Sequence, residues 1–396
     1  MRFVGEAERL VPAKIPARQL SIPGDDVEDA DYRSAQLITY IGNKRALLPQ
    51  ILRAVDEVAH RLQRPKLRIL DAMSGSGAVA RALKSRAGYL ATNDVEDYAT
   101  VVSRCFLANR SAVPWDEVHA LVEAFNQQAT AATSDLGGLP SGMIERLYAP
   151  VDEANIGPTE RVFYTRANAR RLDVLCQALL VVAEPVRSLL LGPLLSSASV
   201  HANTAGVFKG FYKDRRTGRG RFGGTGADAL TRILGPIELA LPVVSRFECD
   251  CEVFQEDAVQ LVKRLHGLDL AYFDPPYNQH PYGSNYFMLN LICNYQEPAD
   301  LSRVSGIPSD WRRSAFNVRA QFEQTFRDLI HGVDSRYILV SFNSEGFLSR
   351  ETMAAILRER GRTEVVEIPY NTFRGSRNLR NRDIHVTEHL FLVECD

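Results

Sequence analysis

The chain has 396 residues, of which 45% are hydrophobic and 24% charged, and its formal net charge is −1. That length exceeds one ordinary core, so we expect a globular protein with either two domains or one domain and an insertion. The near-zero charge argues against a nonspecific binder of polyanions. No apolar stretch is long enough to span a membrane, and residues 1–10 lack the apolar centre of a signal peptide, which predicts a cytoplasmic protein.

In chain order, the proline-containing residues 1–36 are predicted to form an extended N-terminal arm. The sequence Gly-Asn-Lys at 42–44 then opens a helix, because apolar residues recur at helical spacing from Leu47 to Leu62. Residues 67–94 follow the order strand, glycine-rich turn, helix and strand, which is half of a nucleotide-binding α/β unit.

The middle of the chain has a different pattern. Helical stretches at 114–130 and 158–183 alternate there with glycine and proline breaks. Strand-like segments then resume at 246–258, 270–273, 336–347, 364–370 and 389–394. We therefore predict a discontinuous α/β domain formed by residues 37–100 and 245–396, which a mostly helical domain at 101–244 interrupts.

The six cysteines indicate reduced thiols rather than a metal site. They are scattered along the chain, and the close pair Cys249 and Cys251 has neither the spacing nor the histidine partners of a zinc site. We expect no metal in this protein.

Two basic segments stand out against the balanced average. Residues 209–221 contain six lysines and arginines against one aspartate, and residues 374–382 contain four arginines and no acid. Such segments are often solvated loops, but basic, glycine-containing segments flanked by aromatic residues also bind the phosphates of nucleic acids. The candidate DNA contacts are Lys209, Lys213, Arg215, Arg216, Arg219, Arg221, Arg374, Arg377 and Arg380.

The glycine-rich turn has the features of a cofactor site. Asp71 ends one predicted strand, Gly75 and Gly77 form the turn, and Asp94 ends the next strand, where an acid can bond both hydroxyls of a ribose. The third glycine of the dinucleotide fingerprint is absent, which favours a ligand with a ribose but no pyrophosphate. A Gly-x-Gly sequence by itself fits an ordinary tight turn equally well.

The tetrapeptide Asp274-Pro275-Pro276-Tyr277 follows the strand predicted at 270–273. A strand that proline stops is the simple interpretation. The chemical interpretation is a holder for an exocyclic amine on a flat base, whose delocalised lone pair makes it a poor nucleophile. The Asp274 carboxylate and the Pro275 carbonyl are acceptors for the amine hydrogens, the prolines lack a competing N–H, and Tyr277 offers a ring on which the base can stack.

The order of these motifs resembles a known family. With "GNK" at 42–44, "SGSG" at 74–77 and "DPPY" at 274–277, the sequence is similar to the alpha-group, Dam-like DNA adenine-N6 methyltransferases of restriction–modification systems. The resemblance extends through 163–173, 203–211, 341–349 and 374–379. It implies a Rossmann-like α/β fold with a target-recognition insertion, S-adenosylmethionine as cofactor, and an adenine flipped out of duplex DNA as substrate.

The resemblance also implies roles for individual residues. Tyr40 and Lys44 would lie near the methionine end of the cofactor, with the Lys44 ammonium facing its carboxylate, and Asp94 would bind the ribose. Asp257 is the candidate on the adenine side, and Met73 replaces the usual phenylalanine but can still pack against an adenosyl group. The implied cofactor-binding residues are Tyr40, Asn43, Lys44, Asp71, Met73, Gly75, Gly77, Asp94 and Asp257, and the implied catalytic residues are Asp274, Pro275, Pro276 and Tyr277.

Two alternatives stay open at this point. An RNA amine methyltransferase would use the same chemistry, but such enzymes usually lack a long insertion between the cofactor and catalytic motifs. A noncatalytic nucleic-acid-binding subunit would keep the fold, but the intact motifs argue against it. The resemblance allows a solitary methylase or a modification enzyme with a separate cognate restriction endonuclease, and the sequence does not reveal the oligomeric state.

Overall fold

The computed structural model describes residues 28–134, 136, 142–224, 226–227, 229–276, 279, 281–371 and 385–396. Seven strands form one sheet in the order β3-β2-β1-β4-β5-β7-β6. The strands are β1 (Leu67–Asp71), β2 (Ala87–Asn93), β3 (Asp250–Phe254), β4 (Leu268–Phe273), β5 (Ser335–Asn343), β6 (Gly361–Asn371) and β7 (His385–Cys395). Strands β1 to β5 run parallel, whereas β7 is antiparallel to both β5 and β6.

Helices cover both faces of this sheet, so its central strands are mostly buried rather than alternating between buried and exposed residues. All six residues of β4 are buried, for example. The helices before and between the first two strands are α1 (Ala30–Ser34), α2 (Leu48–Leu62) and α3 (Ala78–Leu83). Those in the later half are α10 (Ala258–Leu261), α11 (Tyr282–Asn285), α12 (Phe287–Asn294), α13 (Arg319–Gly332) and α14 (Arg350–Arg358). This is the Rossmann-like arrangement that the sequence predicts.

The chain between β2 and β3 is mostly helical, as predicted. Its helices are α4 (Asp97–Phe106), α5 (Trp115–Ser134), α6 (Met143–Tyr148), α7 (Arg166–Leu179), α8 (Val186–Val200) and α9 (Leu230–Leu234). Helices α4 to α8 share one apolar cluster with α12, which joins this part to the segment after the DPPY motif. The helix predicted over 158–183 is shorter in the structure, because the Thr165 side chain accepts the Asn168 N–H and caps α7 at its beginning.

The beginning of the described chain differs from the predicted extended arm. Residues 30–34 form a short helix, and Tyr32 is fully buried. The Tyr32 hydroxyl donates to the carbonyl oxygen of Phe106 (2.8 Å), and the Arg81 guanidinium lies over the Tyr32 ring. Burial of an aromatic ring with a satisfied hydroxyl stabilises this segment against the domain.

The topology brings the ends of β1, β2 and β4 together. Asp71 at the end of β1 is in register with Thr92 of β2 and with Tyr272 of β4. The chain leaves β1 towards β2 on one side, while β4 lies on the other side, so the strand order reverses at this point. Ligands of open α/β sheets bind at such a crevice. Within the described ranges, no helix has the length and apolarity to cross a membrane.

Candidate active site

An open cleft of about 910 Å³ lies at the carboxyl ends of β1, β2 and β4. The structure brings most of the predicted site residues to its walls, namely Tyr40, Asn43, Lys44, Asp71, Met73, Gly75, Asp94, Asp257, Asp274 and Pro276. The cofactor motif and the DPPY motif therefore face one space, although the helical insertion separates them in sequence. Pro275 and Gly77 are not among the lining residues, and Tyr277 lies outside the described residues.

The glycine-rich turn needs its two glycines for different reasons. Gly75 has a φ of 50°, and a Cβ there would lie 2.9 Å from the Tyr40 hydroxyl oxygen. Gly77 has a φ of 74°, and a Cβ there would lie 2.9 Å from a methyl carbon of Val102 in α4. Side chains are strained in this left-handed region. Gly75 thus shapes the cleft wall, whereas Gly77 allows the turn to pack on α4 instead of touching a ligand.

Asp94 holds the glycine-rich turn in place from the end of β2. Its carboxylate accepts the Gly75 N–H (2.8 Å) and the Glu96 N–H (3.0 Å). Burial raises the pKa of Asp94, and these backbone donors offset part of that effect. Each carboxylate oxygen keeps a second lone pair, so the residue can also accept from a ligand hydroxyl.

Asp71 is a buried carboxyl group to which no described side chain donates a hydrogen bond. It is 1% exposed, and the backbone N–H groups of Met73 and Ala80 offset only part of the effect of burial on its pKa. Burial, followed by the charges on Asp274 and Asp94, raises its pKa to about 8. Burial likewise raises the pKa of Glu96 in the same cleft to about 7. Several acids with raised pKa values favour a positively charged ligand, which is the case for a sulfonium cofactor.

Lys44 lies opposite Asp274 at the centre of the cleft. Its Nζ is 3.1 Å from Asp274 Oδ1, and the side chains are 4% and 19% exposed. Burial raises the pKa of Asp274 to about 6, the Lys44 charge lowers it, and the charge on Glu388 raises it further. The family resemblance implies a Lys44 ammonium that faces a cofactor carboxylate, whereas in the structure the ammonium is paired with the acid of the DPPY motif.

Glu388 is a site residue that sequence reasoning missed. It lies on β7, is 4% exposed, and its Oε1 is 3.7 Å from Lys44 Nζ. The Asn343 side chain donates to the same oxygen (3.0 Å) from the paired position on β5. A signal for this residue is present in the sequence. Glu388 shares one face of its strand with the apolar residues Leu390 and Leu392, which point into the core.

A wall of tyrosines closes one side of the cleft. The Tyr40 ring stacks on Tyr282, at 5.0 Å between centroids, and on Tyr286, at 4.7 Å, and these two rings are 6.1 Å apart, so that the three form a triangle. The Tyr40 and Tyr98 hydroxyl oxygens are 3.2 Å apart, and the Ile41 N–H donates to the Tyr286 hydroxyl (2.7 Å). Tyr282 itself lines the cleft and was not anticipated, although it follows a proline just after the DPPY motif. These rings fix Tyr40 against Gly75.

Several other predicted residues have structural tasks at the rim. Asn43 donates to the Tyr40 carbonyl (2.9 Å) and accepts the Arg45 N–H (3.3 Å), which holds the turn before α2. Asp257 accepts the N–H groups of Val259 and Gln260 and caps α10. Met73 packs against the apolar cluster on one face of the sheet. Sequence reasoning also missed the rim segment that contributes Ser314, Phe316 and Asn317.

The basic segment 209–221 folds into a small hairpin through a bridge between Lys213 and Gly220. Its base is attached beside the cleft, since the Phe208 N–H donates to the Asn285 carbonyl and the Ser305 hydroxyl donates to the Lys209 carbonyl. The six predicted DNA contacts in this segment, Lys209, Lys213, Arg215, Arg216, Arg219 and Arg221, are all exposed. Arg374, Arg377 and Arg380 lie outside the described residues.

The described side chains contain no group of three or more histidines, cysteines, aspartates or glutamates that could hold a metal ion. The cleft instead offers carboxylates, backbone amides and aromatic faces. The acids suit a cationic methionine-like group, and Asp94 beside a glycine turn suits a ribose. These residues fit S-adenosylmethionine.

Comparison with known proteins agrees with this geometry. The sequence profile of the D12 class N6 adenine-specific DNA methyltransferases matches residues 40–135 and 214–356. The type II methyltransferase M.CviAII of Paramecium bursaria Chlorella virus 1 is 28% identical over 90% of this chain and 98% of its own length. M.NlaIII of Neisseria lactamica is 26% identical over 90% of this chain and 99% of its own length. The modification methylase StsI of Streptococcus sanguinis is 26% identical over 90% of this chain and 51% of its own length.

The profile covers more than half of the chain and includes both the cofactor motif and the DPPY motif. The cofactor of this protein is S-adenosylmethionine, and its substrate is DNA. The chain is therefore a DNA methyltransferase that belongs to the D12 class of N6 adenine-specific enzymes.

Proposed function

We propose that this protein transfers a methyl group to the N6 amine of a specific adenine flipped out of duplex DNA. The observation that carries the proposal is the common cleft of Asp274, Gly75 and Asp94. A base held at the DPPY loop would have its amine beside the cofactor pocket, because both motifs line the same space. A base inside a duplex cannot reach such a cleft, so it must leave the stack.

Asp274 has the properties of an acceptor for the amine. Its Oδ1 faces Lys44, which leaves Oδ2 for a hydrogen of the substrate amine. Together with the Pro275 carbonyl, it would hold both amine hydrogens and let the nitrogen lone pair point out of the ring plane. S-adenosylmethionine, when bound, supplies a methyl group activated by a positively charged sulfur. Asp274 or water then takes the surplus proton of the product amine, so most of the acceleration comes from positioning.

The residues on the cofactor side of the cleft have distinct tasks. Asp94 would accept the ribose hydroxyls, since its carboxylate also fixes the Gly75 amide. Asp71 would face the positive end of the cofactor, because it is a buried acid to which no described side chain donates a hydrogen bond. Tyr40 would lie near the methionine end of the cofactor, Met73 would pack against the adenosyl group, and Asp257 would lie at the adenine end of the pocket.

DNA recognition would belong to the insertion. We assign residues 37–100 and 245–396 to catalysis and residues 101–244 to target recognition, with 1–36 as an N-terminal segment. The exposed hairpin at 209–221 is attached next to Asn285, close to the tyrosine wall, so it would place arginines on the phosphates around a flipped base. Because the similar proteins are type II methyltransferases, we infer a modification enzyme of a restriction–modification system.

The test is an assay of the methylated product. The protein is incubated with methyl-labelled S-adenosylmethionine and either duplex DNA or structured RNA, and the products are digested to nucleosides for mass spectrometry. We expect N6-methyladenine from DNA alone, and its loss in the Asp274→Ala variant but not in Asp328→Ala, an exposed acid outside the cleft. Label in N4-methylcytosine or in RNA, or unchanged turnover in Asp274→Ala, would overturn the proposal.

A further inference from the structure

We propose that Glu388 is a positioning residue for methyl transfer, which shares the Lys44 ammonium with Asp274 and so limits how tightly Lys44 binds the catalytic carboxylate. This inference rests on the proposed role of Asp274 as the acceptor for the amine. It assigns a task in the reaction to a residue that none of the sequence motifs contains.

The antiparallel direction of β7 brings Glu388 to the active site. The strand enters the sheet at the edge where β4 and β5 end, and Glu388 is paired there with Asn343. Two and four residues later, Leu390 and Leu392 face the apolar cluster on the same side of the sheet. An acid at this position gives up hydration, which costs free energy unless its partners compensate.

The described partners of Glu388 do not satisfy the whole carboxylate. Oε1 accepts from the Asn343 side chain at 3.0 Å and faces Lys44 Nζ at 3.7 Å. Oε2 is buried without a hydrogen-bond partner within the described ranges. Ion pairs of this kind add little or nothing to stability compared with apolar side chains of similar size. An electrostatic task at the site is therefore a better explanation for an acid at position 388.

The groups around Asp274 explain what that task is. Asp274 faces Lys44 from the segment before α2, Glu388 from β7, Asp71 from β1 and the Tyr272 hydroxyl from its own strand. Burial keeps the Tyr272 hydroxyl neutral, because it raises the pKa well above its ordinary value. One described cation is thus shared among carboxylates, and the charge on Glu388 raises the pKa of Asp274 while Lys44 lowers it. Removing the Glu388 charge would leave Lys44 to neutralise Asp274 more completely.

The Glu388→Gln variant tests this idea through the pH dependence of kcat, which reports groups in the enzyme–substrate complex. Without the Glu388 charge, the acid limb of the kcat profile should move to lower pH, because Asp274 then stays ionised at a lower pH than in the unmodified enzyme. The plateau of kcat should fall roughly three- to tenfold, because a carboxylate bound more tightly by Lys44 is a weaker acceptor for the amine. The KM for S-adenosylmethionine should stay within about twofold, since no cofactor contact is assigned to Glu388.

Glu394→Gln is the matched control, because Glu394 lies on the same strand and pairs with Tyr337 and Arg61 instead. Its profile should superimpose on that of the unmodified enzyme. If Glu388→Gln does not fold, the double variant Lys44→Met/Glu388→Gln, which removes one charge of each sign, is compared with Lys44→Met. The acid limb of the kcat profile should then lie at lower pH in the double variant than in Lys44→Met.

The outcomes separate the two proposals. An acid limb that stays in place in Glu388→Gln, or that moves to higher pH, overturns the role of Glu388. If Asp274→Ala meanwhile abolishes turnover, the proposed function stands without it. Unchanged turnover in Asp274→Ala instead removes the basis of both.

Discussion

Lys44 Nζ and Asp274 Oδ1 lie 3.1 Å apart, although the whole helical insertion separates the two residues in sequence. One comes directly before the turn that opens α2, and the other follows the last residue of β4. The pair therefore connects the segment proposed to hold the cofactor with the loop proposed to hold the base. A change in either partner should alter both protonation and turnover.

The first prediction concerns the Lys44→Met variant. Without the ammonium, Asp274 and Glu388 face each other with no described cation between them, so the pKa of Asp274 should rise above about 6. The acid limb of kcat should move to higher pH, and activity lost at neutral pH should return in part at alkaline pH. Loss of one member of a buried ion pair costs about 3–5 kcal/mol, and protonation of the acids reduces that cost.

A pH–rate profile and urea unfolding measure these two effects. Arg45→Met is the control, because Arg45 is the exposed neighbour and its loss changes the net charge equally. A Lys44→Met profile that matches the Arg45→Met profile would show that the ammonium does not influence Asp274.

The second prediction concerns Gly75→Ala. The added methyl group would be in a left-handed backbone conformation and 2.9 Å from the hydroxyl oxygen of Tyr40, whose ring is held by contacts with the Tyr282 and Tyr286 rings. Either the turn or the Tyr40 ring must move, so affinity for S-adenosylmethionine should fall roughly tenfold or more. Isothermal titration calorimetry measures the affinity. Gly88→Ala is the control, since its Cβ would meet only Lys66 Cβ at 3.5 Å, and equal affinities in both variants would refute the prediction.

The third prediction concerns proton release on cofactor binding. Asp71 has a pKa of about 8 and Glu96 a pKa of about 7 in the ligand-free cleft, so both carry protons over part of the neutral range. A positively charged ligand favours the ionised acids, and their protons leave when it binds. Affinity for S-adenosylmethionine should therefore rise as the pH increases from 6 to 8, by up to about tenfold per unit for each linked proton.

Calorimetry in buffers with different ionisation enthalpies counts the released protons. S-adenosylhomocysteine, which has no sulfonium charge, should release fewer, and Asp71→Asn should remove part of the release with the charged ligand. An affinity that is independent of pH would contradict the assignment of Asp71 to the positive end of the cofactor.

The sequence predicts the framework of this site because the framework rests on local signals. The apolar run before Asp274, the glycines at 75 and 77 and the helical spacing after Lys44 each fix an element within a few residues. The parallel order of β1, β2 and β4 then brings the ends of these elements together. The confirmed fold follows from these signals and from the order of the motifs.

The contacts that the sequence could not predict are all long-range. Glu388 reaches Lys44 only because β7 is inserted antiparallel between β5 and β6. Gly77 faces Val102 through the packing of the turn on α4, and no spacing rule distinguishes it from Gly75. Tyr32 becomes a buried anchor through Phe106, in a segment whose prolines indicate an extended arm. These positions depend on tertiary packing, which overrides local propensity.

The final prediction concerns the salt dependence of DNA binding. In the hairpin, the Asp214 carboxylate accepts the N–H groups of Arg216 and Thr217 and pairs with Arg221, which shapes the tip of the hairpin. The exposed side chains of Arg215, Arg216 and Arg219 form no ion pair with any described residue.

If all three bind phosphates, replacing them with glutamine should weaken DNA binding and reduce the slope of log K against log salt by about 2.7, since each lost contact contributes about 0.9. The matched control replaces Arg53, Arg336 and Arg358, which are also exposed and form no ion pair with a described residue, but lie on α2, β5 and α14. Its slope should be unchanged, as should the affinity of both triple variants for S-adenosylmethionine. A hairpin variant with an unaltered slope would mean that the phosphate-binding surface lies elsewhere on the protein.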